Sequence, residues 1–125
     1  MKELKLKKCR KCGAIVEVLV DCNCDNCGIR CCDEQMKELV PNTEDAVFEK
    51  HIPEYRVIED IIEVKVNHVM EEDHYIEWIA LADDKRIGKK FLHPGSEAVV
   101  EFPYIKGSSI YSFCNKHGLW KTVVE

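Results

Sequence analysis

Glycine and proline are scarce in this chain, at 6 and 4 of 125 residues, which excludes collagen-like and linker-dominated low-complexity architectures. No uncharged run approaches the roughly 18 apolar residues of a membrane-spanning helix, so no membrane partner is expected. A glycine-rich phosphate loop, an internal repeat among the strand-like runs and a long 3.6-residue hydrophobic period are all missing. Positive charge is also in short supply. Residues 1–40 hold 8 Lys/Arg against 7 Asp/Glu, and residues 41–125 hold 10 against 16. That balance argues against a nucleic-acid partner, which would want a basic face. The opening MKELKLKKC is charged throughout and has no apolar core of the secretory type. A cytoplasmic setting is expected, where thiols stay reduced and clustered cysteines bind metal more often than they form disulfides.

Cysteine is what the chain has in excess, and it is unevenly placed. Seven of the eight cysteines fall between Cys9 and Cys32, and the eighth, Cys114, stands alone in FCNKHGLW. The stretch VPNTED (40–45) reads as a linker. We therefore expect two domains, a cysteine-rich metal module over 1–40 and a second domain over 41–125. In the latter, β-branched and aromatic runs (YRVIEDIIEVKVNH, YIEWIALAD, EAVVEFPYI, SIYSFC, LWKTVV) recur between turn signals such as LADDKRIGKK, HPGSE and IKGSS. Ile62, Val64 and Val66 alternate with Glu63 and Lys65, the pattern of a strand with one buried face. Short strands at this spacing indicate a mainly β fold, a small antiparallel β-sandwich.

In the front module, Cys9-x-x-Cys12-Gly13 can grip one ion with two thiolates while backbone N–H groups of the turn point at the sulfurs. A tetrahedral S₄ site, suited to zinc or iron, needs a second pair. Spacing offers two: Cys24-x-x-Cys27-Gly28, which repeats the first knuckle, and the adjacent Cys31–Cys32. Seven cysteines exceed what one four-coordinate ion can use. A zinc staple without redox function, a disulfide scaffold and thiol–disulfide chemistry at Cys31–Cys32 are the competing readings.

Five histidines remain: His51, His68, His74, His93 and His117. His68 and His74 bracket VMEED, and in a straight strand they would lie about 20 Å apart. On one helix they would occupy different faces. They can share an ion only if Glu71, Glu72 and Asp73 form a turn. Cys114 and His117 close another turn near the end of the chain. Candidates numbering more than the four ligands of a structural zinc site point to another metal with an open position.

The segments EKHIP, HVMEEDHYIEW and FCNKHGLWK resemble the signature segments of the desulfoferrodoxins, two-iron superoxide reductases. CRKCGAIVEVL and CCDEQMKELVPNTEDAVFEKH resemble that family's desulforedoxin-type front domain and linker. The resemblance runs in order over nearly the whole chain. It implies an immunoglobulin-like sandwich holding iron by His51, His68, His74 and His117 in a plane, with Cys114 axial, and it gives His93 no ligand role. It assigns a second iron, with zinc as an option, to Cys9, Cys12, Cys31 and Cys32, although the insert CNCDNC departs from the family pattern and offers Cys24 and Cys27 instead. It implies roles for Lys50 in drawing in superoxide and for Glu49 at the oxidised iron. The implied activity is one-electron reduction of superoxide to hydrogen peroxide, with a rubredoxin-like electron donor and a homodimeric assembly. The alternative is a zinc-ribbon plus sandwich interaction module without turnover.

Overall fold

A computed structural model describes residues 3–25, 28–44, 46 and 50–125; Cys27 and Glu49, both singled out above, lie outside the described residues. The chain divides into two compact units, Leu4–Val40 and Pro41–Glu125, with Glu3 belonging to the second. Among the described residues no helix is long and apolar enough to cross a membrane.

Among the described residues the front unit has five short strands: β1 (Leu6–Lys8), β2 (Ile15–Glu17), β3 (Arg30–Cys31), β4 (Glu34–Gln35) and β5 (Lys37–Glu38). Strand β1 lies between β2 and β5, all antiparallel, while β3 and β4 form a separate hairpin. Among the described residues its buried apolar side chains are Leu4, Leu6, Cys9 and Met36. So small a core cannot offset the entropy of ordering the chain, and a metal staple is the usual remedy at this size. Leu19 and Val20, in the apolar run AIVEVLV, sit beyond β2 and are exposed.

Among the described residues the second unit has seven strands: β6 (Glu54–Ile58), β7 (Ile61–Lys65), β8 (Ile76–Ala82), β9 (Ile87–Phe91), β10 (Val99–Pro103), β11 (Ser109–Cys114) and β12 (Gly118–Val123). They form two antiparallel sheets, β10-β7-β6 and β12-β11-β8-β9, the three-plus-four arrangement of an immunoglobulin-like sandwich. The mainly β expectation, a Cys₄ module followed by a sandwich, is met. The alternation read in IIEVKV is realised: Ile62, Val64 and Val66 are buried and meet Ile79, Leu81 and Ile110 of the facing sheet in one core. Each such side chain contributes roughly 1.5–3 kcal/mol by leaving water.

Two readings need correction. YRVIEDIIEVKVNH is two strands, reversed at Glu59–Asp60 with Glu59 at φ 56°. LADDKRIGKK is only partly a turn, because Ile87–Phe91 forms the edge strand β9, paired with β8 from Trp78↔Phe91 to Ala82↔Ile87. Lysines at 89 and 90 hid it, yet charged side chains are what an edge strand uses to deter further pairing.

Three connections pass from one sheet to the other: β7 to β8, β9 to β10 and β10 to β11. The first carries His68 and His74. The β11–β12 hairpin, joined by Asn115–Lys116–His117, carries Cys114 at its last paired position opposite Gly118. Gly118 adopts φ +77°, and an added Cβ would meet the Glu44 side chain at 3.1 Å, so glycine suits this turn on both counts.

Candidate metal centres

His51, His68, His74, His117 and Cys114 converge so closely that one ligand atom from each lies within 4.8 Å of every other. The Glu71–Asp73 turn demanded by the sequence is present: Glu71 and His74 form an isolated antiparallel bridge, with N···O distances of 3.0 and 3.1 Å. That turn folds His74 back onto His68, and their rings meet at 4.5 Å between centroids. His74 approaches His117 at 5.0 Å, His117 approaches His51 at 4.8 Å, and His51 approaches His68 at 4.7 Å. The four imidazoles thus close a square.

The inward-facing atoms fit a metal ion. His51 Nε2 lies 3.0 Å and His74 Nε2 3.3 Å from His117 Nδ1. Metal–nitrogen bonds of about 2.1 Å at right angles separate neighbouring nitrogens by about 3 Å. Cys114 Sγ lies 3.4 Å from His68 Nε2 and 3.8 Å from His117 Nδ1. Facing lone pairs on four imidazoles and a thiol suit a cation at their centre. His68 Nδ1 donates to the Val69 carbonyl at 2.6 Å, which fixes the tautomer and leaves Nε2 bare for the metal. Burial pushes the His68 pKa down, and the neighbouring imidazoles push it the same way, so the ring favours the neutral, ligating form.

The two sides of the square differ. Cys114 is fully buried and belongs to the sandwich core. Opposite lies a cavity of about 420 Å³ whose wall includes all four histidines, Lys50 and Glu71. With a thiol on the closed side and an open face on the other, the five residues would hold a metal ion and leave one position free. A bulge positions the sulfur: β11 pairs with β8 at Phe113↔Trp78 and then Cys114↔Ile76, skipping Glu77. Lys50 is exposed on the cavity wall. His93 is exposed and stands outside the cluster.

In the front unit, Cys9, Cys12, Cys31 and Cys32 form the second cluster. Cys12 Sγ and Cys31 Sγ are 3.6 Å apart, and Cys31 Sγ and Cys32 Sγ 3.9 Å. A tetrahedral site with metal–sulfur bonds of about 2.3 Å has edges of about 3.8 Å. Adjacent residues of a strand point to opposite faces. Cys31 and Cys32 escape that rule because Cys32 (φ 53°) and Asp33 (φ 63°) both enter the left-handed region, forming the two-residue turn between β3 and β4. The Cys12 backbone N–H holds the Cys9 thiol down to about 7, with Lys11 N–H assisting, whereas hydrogen bonding to Cys12 and then Cys9 pushes Cys31 up to about 12. Four crowded thiols cannot all ionise without a cation among them. Between the two pairs the spacing left open, the structure gathers Cys31–Cys32. Cys24 is disulfide-bonded and outside the cluster.

Asn115, Ser112 and Trp120 went unnoticed in the sequence. Asn115 bridges two ligand-bearing loops: its Oδ1 accepts from Tyr75 N at 3.0 Å, its Nδ2 donates to Asp73 O at 3.0 Å, and its backbone N donates to Tyr75 O at 3.2 Å. These bonds hold both neighbours of His74 against the Cys114–His117 turn. Asn115→Asp keeps the shape but turns the donor into an oxygen facing a carbonyl. It is expected to lower the unfolding free energy by about 1–2 kcal/mol and iron affinity at the histidine site by roughly tenfold, read by urea titration and chelator competition. Wild-type values in both would refute the bridging role.

The family model described as Desulfoferrodoxin matches residues 42–123. The desulfoferrodoxin of Desulfarculus baarsii is 41% identical over 126 residues, covering 94% of each chain. That of Nitratidesulfovibrio vulgaris is 40% identical over 124 residues, covering 95% of each. Among solved structures, the superoxide reductase from Treponema pallidum superposes with a TM-score of 0.71 at 28% identity, covering 97% of this chain and 99% of that one. With a His₄Cys cluster in the sandwich, a Cys₄ cluster in front of it and relatives matched nearly end to end, the chain belongs to the desulfoferrodoxin family.

Proposed function

We propose that this protein is a superoxide reductase, converting superoxide to hydrogen peroxide with one electron and two protons. The observation that carries the reading is the square of four imidazoles with a buried thiol on one side and an open cavity on the other. Iron held there by His51, His68, His74, His117 and Cys114 would supply a one-electron ferrous/ferric couple with one coordination position free. The residues do the rest. Neutral imidazoles leave the net charge of the donor set to the single thiolate, whose electron donation favours the oxidised state, as in thiolate-ligated haem. Burial of Cys114 keeps water from the sulfur, and the cavity admits a small anion and solvent protons from the opposite side.

Lys50 is proposed to attract that anion in an otherwise acidic domain. One ammonium about 6 Å from superoxide contributes roughly 0.7 kcal/mol in water and nearly 3 at an effective dielectric of 20. Lys50→Ala should slow the second-order reaction with pulse-generated superoxide by roughly three- to a hundredfold, nearer the lower end because the lysine is exposed, and should flatten its salt dependence. An unchanged rate and salt slope would return Lys50 to the solvated surface. Glu49 is proposed to act after this step: Glu49→Ala should spare the bimolecular rate and alter the oxidised site's spectrum.

The family relationship supports a rubredoxin-like electron donor, a homodimer and a cytoplasmic setting as parts of the same proposal. Metal analysis and absorption spectra of anaerobically purified protein, before and after oxidation, test the central claim. A ferric thiolate site is coloured, and a colourless, zinc-filled protein inert to superoxide would overturn it.

A further inference from the structure

His51 precedes β6 and, like the other three histidines, belongs to no strand. Its position is nonetheless held from two sides by one cross-strand pair. Ser112 on β11 stands opposite Trp120 on β12. The Ser112 hydroxyl, fully buried, donates to the His51 carbonyl at 2.8 Å. The Trp120 ring stacks on the His51 imidazole at 4.9 Å with 25° between planes. Trp120 Nε1 also donates to the His117 carbonyl at 3.1 Å. Thr122, two residues on, donates to the Pro53 carbonyl at 2.7 Å and holds the same segment further along.

A buried tryptophan needs an acceptor for its N–H, and any core carbonyl could serve. Here the acceptor belongs to one ligand and the ring covers another. Those two ligands form one corner of the square, Nε2 to Nδ1 at 3.0 Å. Ser112 and Cys114 also share one face of β11, so the strand that presents the sulfur presents the support for His51. We infer that Ser112 and Trp120 act together as positioning residues that set the angle between His51 and His117, and with it the planarity of the four nitrogens. The inference rests on the metal-centre reading above.

The test uses the full-length, iron-loaded protein. Trp120→Phe keeps an aromatic ring on His51 and removes the N–H; Ser112→Ala removes only the hydroxyl. Iron(II) affinity at the histidine site is measured by chelator competition, with the front site's spectrum as internal reference and Ile110→Val as a core control. Each variant is expected to weaken iron binding roughly tenfold and to shift the ferric site's absorption and electron paramagnetic resonance signals. The double variant should lose less than the product of the two, because both act on His51. Ile110→Val should lower the melting temperature without moving either signal. Unchanged affinity and spectra in both single variants, or a lowered melting temperature with unchanged spectra, would make the pair ordinary core and overturn the inference. Wild-type protein that takes up no iron at this site overturns the functional reading and the inference together. Iron-loaded wild type with indifferent variants overturns the inference alone.

Discussion

Cys114→Ser is expected to erase the sulfur-to-iron charge-transfer band of the histidine site and to leave the front site's colour untouched. The substitution is nearly isosteric at a fully buried position, so the sandwich should still fold. What changes is the donor. A hydroxyl at neutral pH stays protonated, donates little charge to a metal, and supplies none of the soft character of a thiolate. Loss of a direct ligand should cost at least the hundredfold in affinity that loss of an outer hydrogen-bond partner can reach. His68 Nε2 and His117 Nδ1, now 3.4 and 3.8 Å from the sulfur, would face an oxygen instead. Reduction of superoxide should fall by a similar factor or more, because the charge that favours giving up an electron is gone. Persistence of the band in Cys114→Ser would sink the axial assignment.

Taken singly, each histidine reads as a surface or core residue; the ligand set was implied by the family resemblance, and its arrangement was partly legible in the spacing. The distance between His68 and His74 in any regular element was too great for one ion, which required a turn at Glu71–Asp73, and the bridge from Glu71 to His74 supplies it. Period-two alternation in IIEVKV identified a sandwich strand for the same reason that it forms one, since a single face is buried. The supports were not legible. Ser112 and Trp120 in SIYSFC and GLWKTV are ordinary strand residues until the β11–β12 register sets them opposite each other, next to a ligand more than sixty residues away. The bulge that skips Glu77 has no signal in its own residues, because it depends on pairing between strands distant in sequence. Left-handed backbone at Cys32 and Asp33 was hidden too. Glycine or asparagine normally marks such a turn, and here a cysteine and an aspartate occupy it.

That cost in backbone strain bears on the front site, where Cys31→Ser or Cys32→Ser is expected to abolish the S₄ spectrum while Cys24→Ser leaves it intact. Non-glycine residues in the left-handed region cost about 1–2 kcal/mol each, and the front unit has few buried side chains to offset that. A metal bridging the knuckle at Cys9–Cys12 and the hairpin at Cys31–Cys32 ties the two halves of the unit together. The exposed Arg10–Glu34 pair spans the same gap, but solvent screening leaves it little to contribute. Removing one of four thiolates should therefore do more than bleach the site. The unit's cooperative melting should disappear, as in small domains whose metal-binding energy is their folding energy. Cys24 stands outside the four-thiol cluster, and its substitution should leave the colour unchanged. The two positions are compared by absorption spectra and calorimetry on the same preparations. Loss of the spectrum in Cys24→Ser, with retention in Cys31→Ser and Cys32→Ser, would transfer the site to the repeated knuckle and leave the strained hairpin without a metal to hold.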